Sequence, residues 1–423
     1  MMKKVVLLTM LSILVLIPTS CTQSQEKDIS KDYSFAASEV TDLTFDEDLV
    51  SSINQTGFNA FKEIHKTVPT DNIVFSPLSL TTALSMLEEG AGSETKKEIR
   101  AVLNIPEDAE LSKLFNQIIT RFDEITAIGK EENSKNISLK LANSIWFRKE
   151  NLSVHEDYIS TIKTLYNGEL FSVDFSSSGT KDLMNLWIDE STNHLLEGTI
   201  KKTRSDNIAY LINTIYFKGE WIDPFNEQLT KKETFTTDQN DSFDVDMMYQ
   251  KDSMKYYEDD FLQMVALNYP QSTLYVFLPK DNLDSMLESI EYTSLNKGIE
   301  SGNYSSVELS LPKFNYKNNT NLKDLLIELG MPLAFDASHA DFSKMIDSNT
   351  NVYVSNAFQN ATIALDEKGT EAAAVTVIEM TESAAPDIEE AKIMNCNKPF
   401  LFLLKENKSR SDLFIGVVNN PNE

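Results

Sequence analysis

The chain has 423 residues, 41% hydrophobic and 24% charged, which supplies a sizeable core and excludes a disordered protein. Its 38 lysines and arginines face 65 aspartates and glutamates, a net charge of −27 that makes nucleic acid and anionic membrane faces poor partners while permitting steering toward basic proteins. Two cysteines, Cys21 and Cys396, exclude a cysteine-based metal cluster and more than one disulfide.

At the N-terminus Lys3 and Lys4 precede an apolar run of about 13 residues, Val5 to Ile17, which ends at Pro18-Thr19-Ser20-Cys21. A helix needs about 20 residues to cross a bilayer, so the run reads as a removed export segment. Small residues before a cysteine resemble a bacterial lipoprotein cleavage box, in which cutting before Cys21 is followed by acylation of that cysteine; Pro18 stands where the box usually has Leu. The expectation is a signal peptide over 1–20, then an acylated Cys21 and a flexible, polar and acidic tether over 21–48. That places the body at a bacterial outer membrane or cell surface, with a periplasmic or secreted soluble protein as the alternative.

Residues 49–423 contain no internal repeat, long low-complexity tract or Gly/Pro-rich linker and read as one domain. Ser79 to Leu87, Thr95 to Leu103, Leu111 to Ile125 and Leu183 to Leu196 have helical spacing. Strands are predicted at Ile208 to Lys218, at Leu262 to Leu278 around a turn at Tyr269-Pro270-Gln271-Ser272, and at Val307 to Phe314. A helix comes next at Asn321 to Leu329, then strands at Asn351 to Asp366, Phe400 to Lys405 and Leu413 to Val418. Helices first and strands later argue for an α+β fold.

No active site emerges. His65, His155, His194 and His339 are scattered without a metal-binding spacing, and there is no phosphate-binding glycine loop, so neither metal nor cofactor is expected. Ser160-Thr161-Ile162-Lys163 with Ser205-Asp206-Asn207 mimics two elements of serine-lysine enzymes such as β-lactamases. The same spacing recurs at Ser93/Lys96, Ser294/Lys297 and Ser310/Lys313, and no Lys-Thr-Gly comes after it, so that reading fails.

The least ordinary stretch is Asp366-Glu367-Lys368-Gly369-Thr370-Glu371-Ala372-Ala373-Ala374-Val375-Thr376-Val377-Ile378. Alanines favour a helix, but Val, Thr and Ile come next and favour a strand, so two states compete for one segment. With period two, Thr370, Ala372, Ala374 and Thr376 share a face and are small enough to slip between existing strands.

This hinge resembles that of the serpin family of protease inhibitors. Further motifs stand in that family's order: Asn72-Ile73-Val74-Phe75-Ser76-Pro77-Leu78-Ser79; Asn213-Thr214-Ile215-Tyr216-Phe217-Lys218-Gly219 with Trp221; Leu311-Pro312-Lys313-Phe314; Leu329-Gly330-Met331; Ala340-Asp341-Phe342-Ser343 with Met345; and Asn397-Lys398-Pro399-Phe400-Leu401-Phe402. The resemblance covers essentially all of 49–423. It implies three β-sheets with about eight or nine helices and an exposed reactive loop. It also implies a monomer that is not an enzyme but a suicide-substrate inhibitor of serine, alternatively cysteine, endopeptidases, trapped covalently as the loop inserts into the central sheet. A non-inhibitory binding or chaperone protein is the alternative.

By the same resemblance Glu367, Gly369, Thr370, Glu371, Ala372, Ala373 and Ala374 form the hinge. Ser76, Ser79 and Asn213 match the polar cluster beneath the opening strands, with Gln359 where the family usually has His, and Lys313 pairs with Glu367 near Trp221. The reactive bond falls at Ser383-Ala384; the loop to Asn397 is longer than in many relatives by roughly five residues, so Met380, Glu382 and Ala385 remain alternatives. Between Lys368 and Lys392 there is no Lys or Arg, so trypsin-like proteases, which need a cation, are poor targets and elastase- or subtilisin-like ones are expected.

Overall fold

A computed structural model describes residues 27–32, 43–131, 135–348, 351–370 and 390–422. The chain begins with β1 (Lys27–Asp28), α1 (Glu47–Thr67), β2 (Ile73–Phe75), α2 (Pro77–Gly90), α3 (Ser93–Val102) and α4 (Leu111–Ile128). It continues through β3 (Ile137–Arg148), β4 (Leu152–Val154), α5 (Glu156–Leu165), β5 (Glu169–Val173), α6 (Ser178–Ser191) and β6 (Ala209–Glu220). Next come β7 (Lys231–Thr236), β8 (Ser242–Glu258), β9 (Leu262–Asn268), β10 (Ser272–Pro279), α7 (Leu283–Ser289), α8 (Tyr292–Ser301), β11 (Asn303–Pro312) and β12 (Phe314–Asn321). The remainder is α9 (Lys323–Glu328), β13 (Ile346–Ser348), β14 (Val354–Leu365), β15 (Gly369–Thr370), β16 (Lys392–Asn395), β17 (Phe400–Glu406) and β18 (Asp412–Val418).

Helix α2 sits at the centre. The Ser76 hydroxyl caps it by accepting from the Ser79 N–H at 3.1 Å, Pro77 occupies its first turn, and every residue except Glu89 is buried, as befits a helix enclosed on all sides. Helix α1 crosses it at close range: a Cβ on Gly57 would lie 2.2 Å from the Pro77 Cβ, so only glycine fits there.

Three sheets surround this core. The central one has the order β1-β5-β3-β6-β14-β12, with β15 added on β6. The second runs β16-β11-β8-β9-β10-β17-β18-β2, with β7 on β8, and the third is the pair β13-β4. One large apolar core spans these layers, and a smaller cluster lies under α6, where Trp146 stacks on Phe171 at 3.9 Å and 9°.

Among the described residues there are nine α-helices and three sheets, in line with the expected α+β architecture. The partition between halves differs from the sequence reading, because β3 and β5 of the central sheet lie among the helices, before the strand expected at Ile208 to Lys218, which is β6. The helix expected at 183–196 is α6, shifted toward the N-terminus; the Ser177 hydroxyl accepts from the Gly179 N–H at its start, and Asn193 and His194 adopt positive φ just after Thr192 closes it. Within the span expected to be a solvated tether, Lys27–Asp28 pairs antiparallel with the edge strand β5, and Lys163 Nζ donates to the Ser30 carbonyl at 2.5 Å. The unpaired backbone of a sheet edge offers a place for such a segment. Cys396 is a buried free thiol, and burial pushes its pKa far up.

Candidate functional site

The central sheet has a seam. β6 and β14 run parallel from Ala209↔Val354 to Ile215↔Ala361, with a register shift between Val354 and Asn356. On their outer sides each is held by an antiparallel ladder, β6 to β3 and β14 to β12. Parallel pairing is slightly weaker per residue than antiparallel, so the seam is weaker than the ladder on either side of it.

Asn143, Asn213 and Gln359 stand in register across β3, β6 and β14. Gln359 turns away from the seam: its Oε1 accepts from the Ser76 N–H at 2.8 Å and its Nε2 donates to the Ser76 carbonyl at 2.9 Å, all groups buried. Asn213 turns the other way, its Nδ2 donating to Asn143 Oδ1 at 2.7 Å, and its own Oδ1 has no partner in the protein. Each side of the seam at this level is therefore anchored to its own neighbour. At the lower end Ser355 Oγ crosses the seam and accepts from the Ile208 N–H at 2.8 Å.

Above Ile215 and Ala361 the strands diverge. Tyr216 to Lys218 pair only with β3, and Thr362 to Leu365 only with β12. Into the mouth of this cleft the chain doubles back through Asp366–Lys368 and places Gly369 opposite Glu220 and Thr370 opposite Gly219, antiparallel to β6. Asp366 Oδ1 shapes the reversal by accepting from the N–H groups of Lys368 at 2.8 Å and Gly369 at 3.2 Å. Gly369 has φ +143°, and a Cβ there would lie 2.1 Å from the Gly219 carbonyl oxygen, so no other residue fits.

Trp221, buried at the end of β6, grips the reversal. Its indole N–H donates to the Asp366 carbonyl and its backbone N–H to the Lys368 carbonyl, both at 2.9 Å, while the Phe225 N–H donates to the Glu367 carbonyl at 2.9 Å. The Glu367 carboxylate accepts from the Thr230 hydroxyl at 2.7 Å and pairs with Lys313 Nζ at 3.0 Å. Burial raises the Glu367 pKa, but the Thr230 hydroxyl and Lys313 outweigh it and hold the carboxyl below its ordinary value. Burial lowers Lys313, and Glu367 more than reverses this. Lys368 adds an outer pair with Glu227 at 3.3 Å.

Of the residues singled out in the sequence, the structure bonds Ser76 to Gln359, sets Ser79 beside them in the first turn of α2, and brings Lys313, Glu367 and Trp221 to the hinge. Asn213 shares their row but bonds to Asn143. Cys21, Glu371, Ala372, Ala373, Ala374, Met380, Glu382, Ser383, Ala384 and Ala385 lie outside the described residues. Sequence reasoning missed Asn143, Thr230 and Tyr269. For Asn143 a signal existed, a polar pair within the apolar run Leu141-Ala142-Asn143-Ser144-Ile145-Trp146; Thr230 and Tyr269 are brought to the hinge only by packing.

A sequence profile of the serpin (serine protease inhibitor) family matches residues 51–421. A serpin-like protein of Thermococcus kodakarensis is 30% identical over 89% of this chain and 86% of its own length. The leukocyte elastase inhibitor of Xenopus tropicalis is 28% identical over 89% of this chain and all of its own. Among solved structures, the native state of tengpin, a thermophilic serpin, matches with a TM-score of 0.83 at 26% identity, covering 94% of this chain and 100% of that one. Human thyroxine-binding globulin in complex with thyroxine matches with a TM-score of 0.78 at 28% identity, covering 89% and 99%.

This geometry has two measurable consequences. Gln359→Leu leaves the Ser76 N–H buried without a partner, while the Ser76 carbonyl keeps the Leu80 N–H at 3.2 Å, so unfolding in urea is expected to show a loss of about 1–3 kcal/mol, the cost of one orphaned buried group. The Lys313–Glu367 pair gives the hinge a pH window. Glu367's depressed pKa means its contribution is present above the ordinary carboxyl value of 4.5 and is lost as pH falls through the lower folded value. Lys313's raised pKa means its contribution is present below 10.5 and is lost as pH rises through the higher folded value. Hydrogen exchange at the Phe225 amide, corrected for intrinsic rate, is expected to quicken toward both limits, and to lose its acid limb in Glu367→Gln.

Proposed function

The chain belongs to the serpin family, many of whose members inhibit serine proteases, and we propose that this protein is a suicide-substrate inhibitor rather than an enzyme. The observation that carries this reading is the hinge: Gly369 and Thr370 already lie antiparallel to β6 at the mouth of a cleft whose next junction is a parallel seam. Beyond Glu371 the sequence from Ala372 to Thr376 holds only alanine, valine and threonine, with no charge and no bulky side chain.

The protease's serine Oγ attacks the carbonyl carbon of Ser383, and its proton passes through the protease's histidine to the departing amine of Ala384. The C–N bond breaks and an ester links the two proteins. The freed strand then inserts. Counting on in the register of Thr370↔Gly219, insertion sets Ala372 opposite Phe217, Ala374 opposite Ile215 and Thr376 opposite Asn213. Small apolar residues thus meet large ones, and a hydroxyl meets the polar row. One parallel junction is exchanged for two antiparallel ones, and the attached protease is carried away before water can cleave the ester.

Elastase- or subtilisin-like proteases fit the loop, because no Lys or Arg stands between Lys368 and Lys392 for the acidic pocket of a trypsin-like enzyme. The proposal extends to export by the apolar segment over 5–17 and to tethering through an acylated Cys21, which would hold the acidic body at a membrane surface.

The test is to mix the protein with elastase, subtilisin, a glutamyl endopeptidase and trypsin and to read SDS-resistant complexes and the cleaved bond by mass spectrometry. Complexes are expected with elastase or subtilisin and a cut at or within a few residues of Ser383; fast complex formation with trypsin alone would overturn the loop reading. In Thr370→Arg a cation would have to be buried without a partner, so complex yield is expected to fall about tenfold or more while loop cleavage persists. Normal complex yield from that variant would refute insertion.

A further inference from the structure

Tyr269 belongs to the turn between β9 and β10 on the second sheet, yet its phenol reaches the hinge of the first. Its Oη lies 2.6 Å from Thr370 Oγ1, with both side chains buried. The ring cannot swing. It stacks on Trp221 at 4.0 Å and 22°, meets Phe217 edge-on at 4.9 Å and 80°, and leaves no room for a side chain on Gly219, whose Cβ would lie 2.8 Å from Tyr269 Cδ1. Burial pushes the phenol pKa well up, so the hydroxyl stays protonated and available to this contact at any physiological pH.

Deepening the inhibitor reading and resting on it, we infer that Tyr269 is a positioning residue that seats Thr370 in the cleft and so decides whether an acylated protease is trapped or released. After acylation, insertion competes with hydrolysis of the ester, and insertion has a slow first step: a strand must find its register before its ladder can grow. Here that step is complete before a protease arrives. Gly369 and Thr370 hold two ladder positions, and the paired hydroxyls check them, because a slip of one residue would turn Thr370 outward and drive Glu371 into the aromatic box of Phe217, Trp221 and Tyr269. Withdrawal of Thr370 would leave the Tyr269 hydroxyl buried without this partner, which disfavours the unseated hinge.

Tyr269→Phe and Thr370→Val each delete one hydroxyl and keep the shape. The first readout needs no protease: hydrogen exchange at residues 219–220 and 369–370 of the intact protein is expected to quicken about fivefold or more in both variants, the lost contact being a buried hydrogen bond. The second is the number of inhibitor molecules consumed per protease trapped, using whichever protease of the panel forms complexes with the wild type. It is expected to rise about threefold or more in each variant, no further in the double variant, and to return close to wild type in Thr370→Ser, which keeps the hydroxyl. The rate of loop attack, corrected for that stoichiometry, should stay within about twofold because the scissile bond is untouched. Unchanged exchange at the hinge would overturn the seat whatever the protein inhibits. Quickened exchange with unchanged stoichiometry would overturn its role in trapping. Absence of complexes from the wild type would instead count against the inhibitor reading.

Discussion

The proposed insertion requires the parallel junction between β6 and β14 to be closed enough to exclude water from the core and weak enough to part. Its seven register pairs, from Ala209↔Val354 to Ile215↔Ala361, supply backbone hydrogen bonds, but at its middle the side-chain bonds run away from it, Gln359 to Ser76 and Asn213 to Asn143. The buried atoms without a protein partner include Asn213 Oδ1, Asn143 Nδ2, Thr214 Oγ1 and Asn360 Nδ2, all on strands flanking or forming this junction. An interlocked apolar seam would be cheaper to bury, and harder to open.

Several contacts at the upper end of the sheet hold the hinge at the mouth of that junction. The Asp366–Gly369 reversal needs a glycine at φ +143° and a carboxylate to gather its N–H groups. Trp221 and Phe225 hold the carbonyls of 366–368, and Lys313 and Thr230 hold Glu367, so side chains and backbone from two other segments converge on one short reversal. The hold is electrostatic and directional on the outside and aromatic on the inside.

Much of the fold was legible because its signals are local. Ser76-Pro77 announces the start of α2, Tyr269-Pro270-Gln271-Ser272 separates β9 from β10, and the β-branched and aromatic composition of Ile208 to Lys218 marks β6. Where competing local signals existed, the reading drifted: α6 begins earlier than its apolar spacing suggests, because a serine cap outranks periodicity. Segment 27–32 carries no hydrophobic pattern at all, and its place beside β5 depends on an edge that only the folded sheet creates. In the site, the resemblance of motifs pointed to Ser76, Gln359, Lys313, Glu367 and Trp221; Asn143 was marked only by the polar pair it forms with Ser144 in an apolar run, while Thr230 and Tyr269 carry no pattern that distinguishes them from ordinary strand and turn residues.

By itself the sequence determined an α+β body with an acidic surface, a hinge of small residues after Gly369, and a loop without cations, since these depend on residue size, charge and spacing along one stretch of chain. Only the tertiary structure decided how far the hinge is seated and by what. The contact between Tyr269 and Thr370 joins residues 101 positions apart on different sheets, and the cleft that receives Thr370 exists because β6 and β14, remote in sequence, diverge above Ile215 and Ala361. Strand register is a property of pairs of strands, and no single strand encodes it.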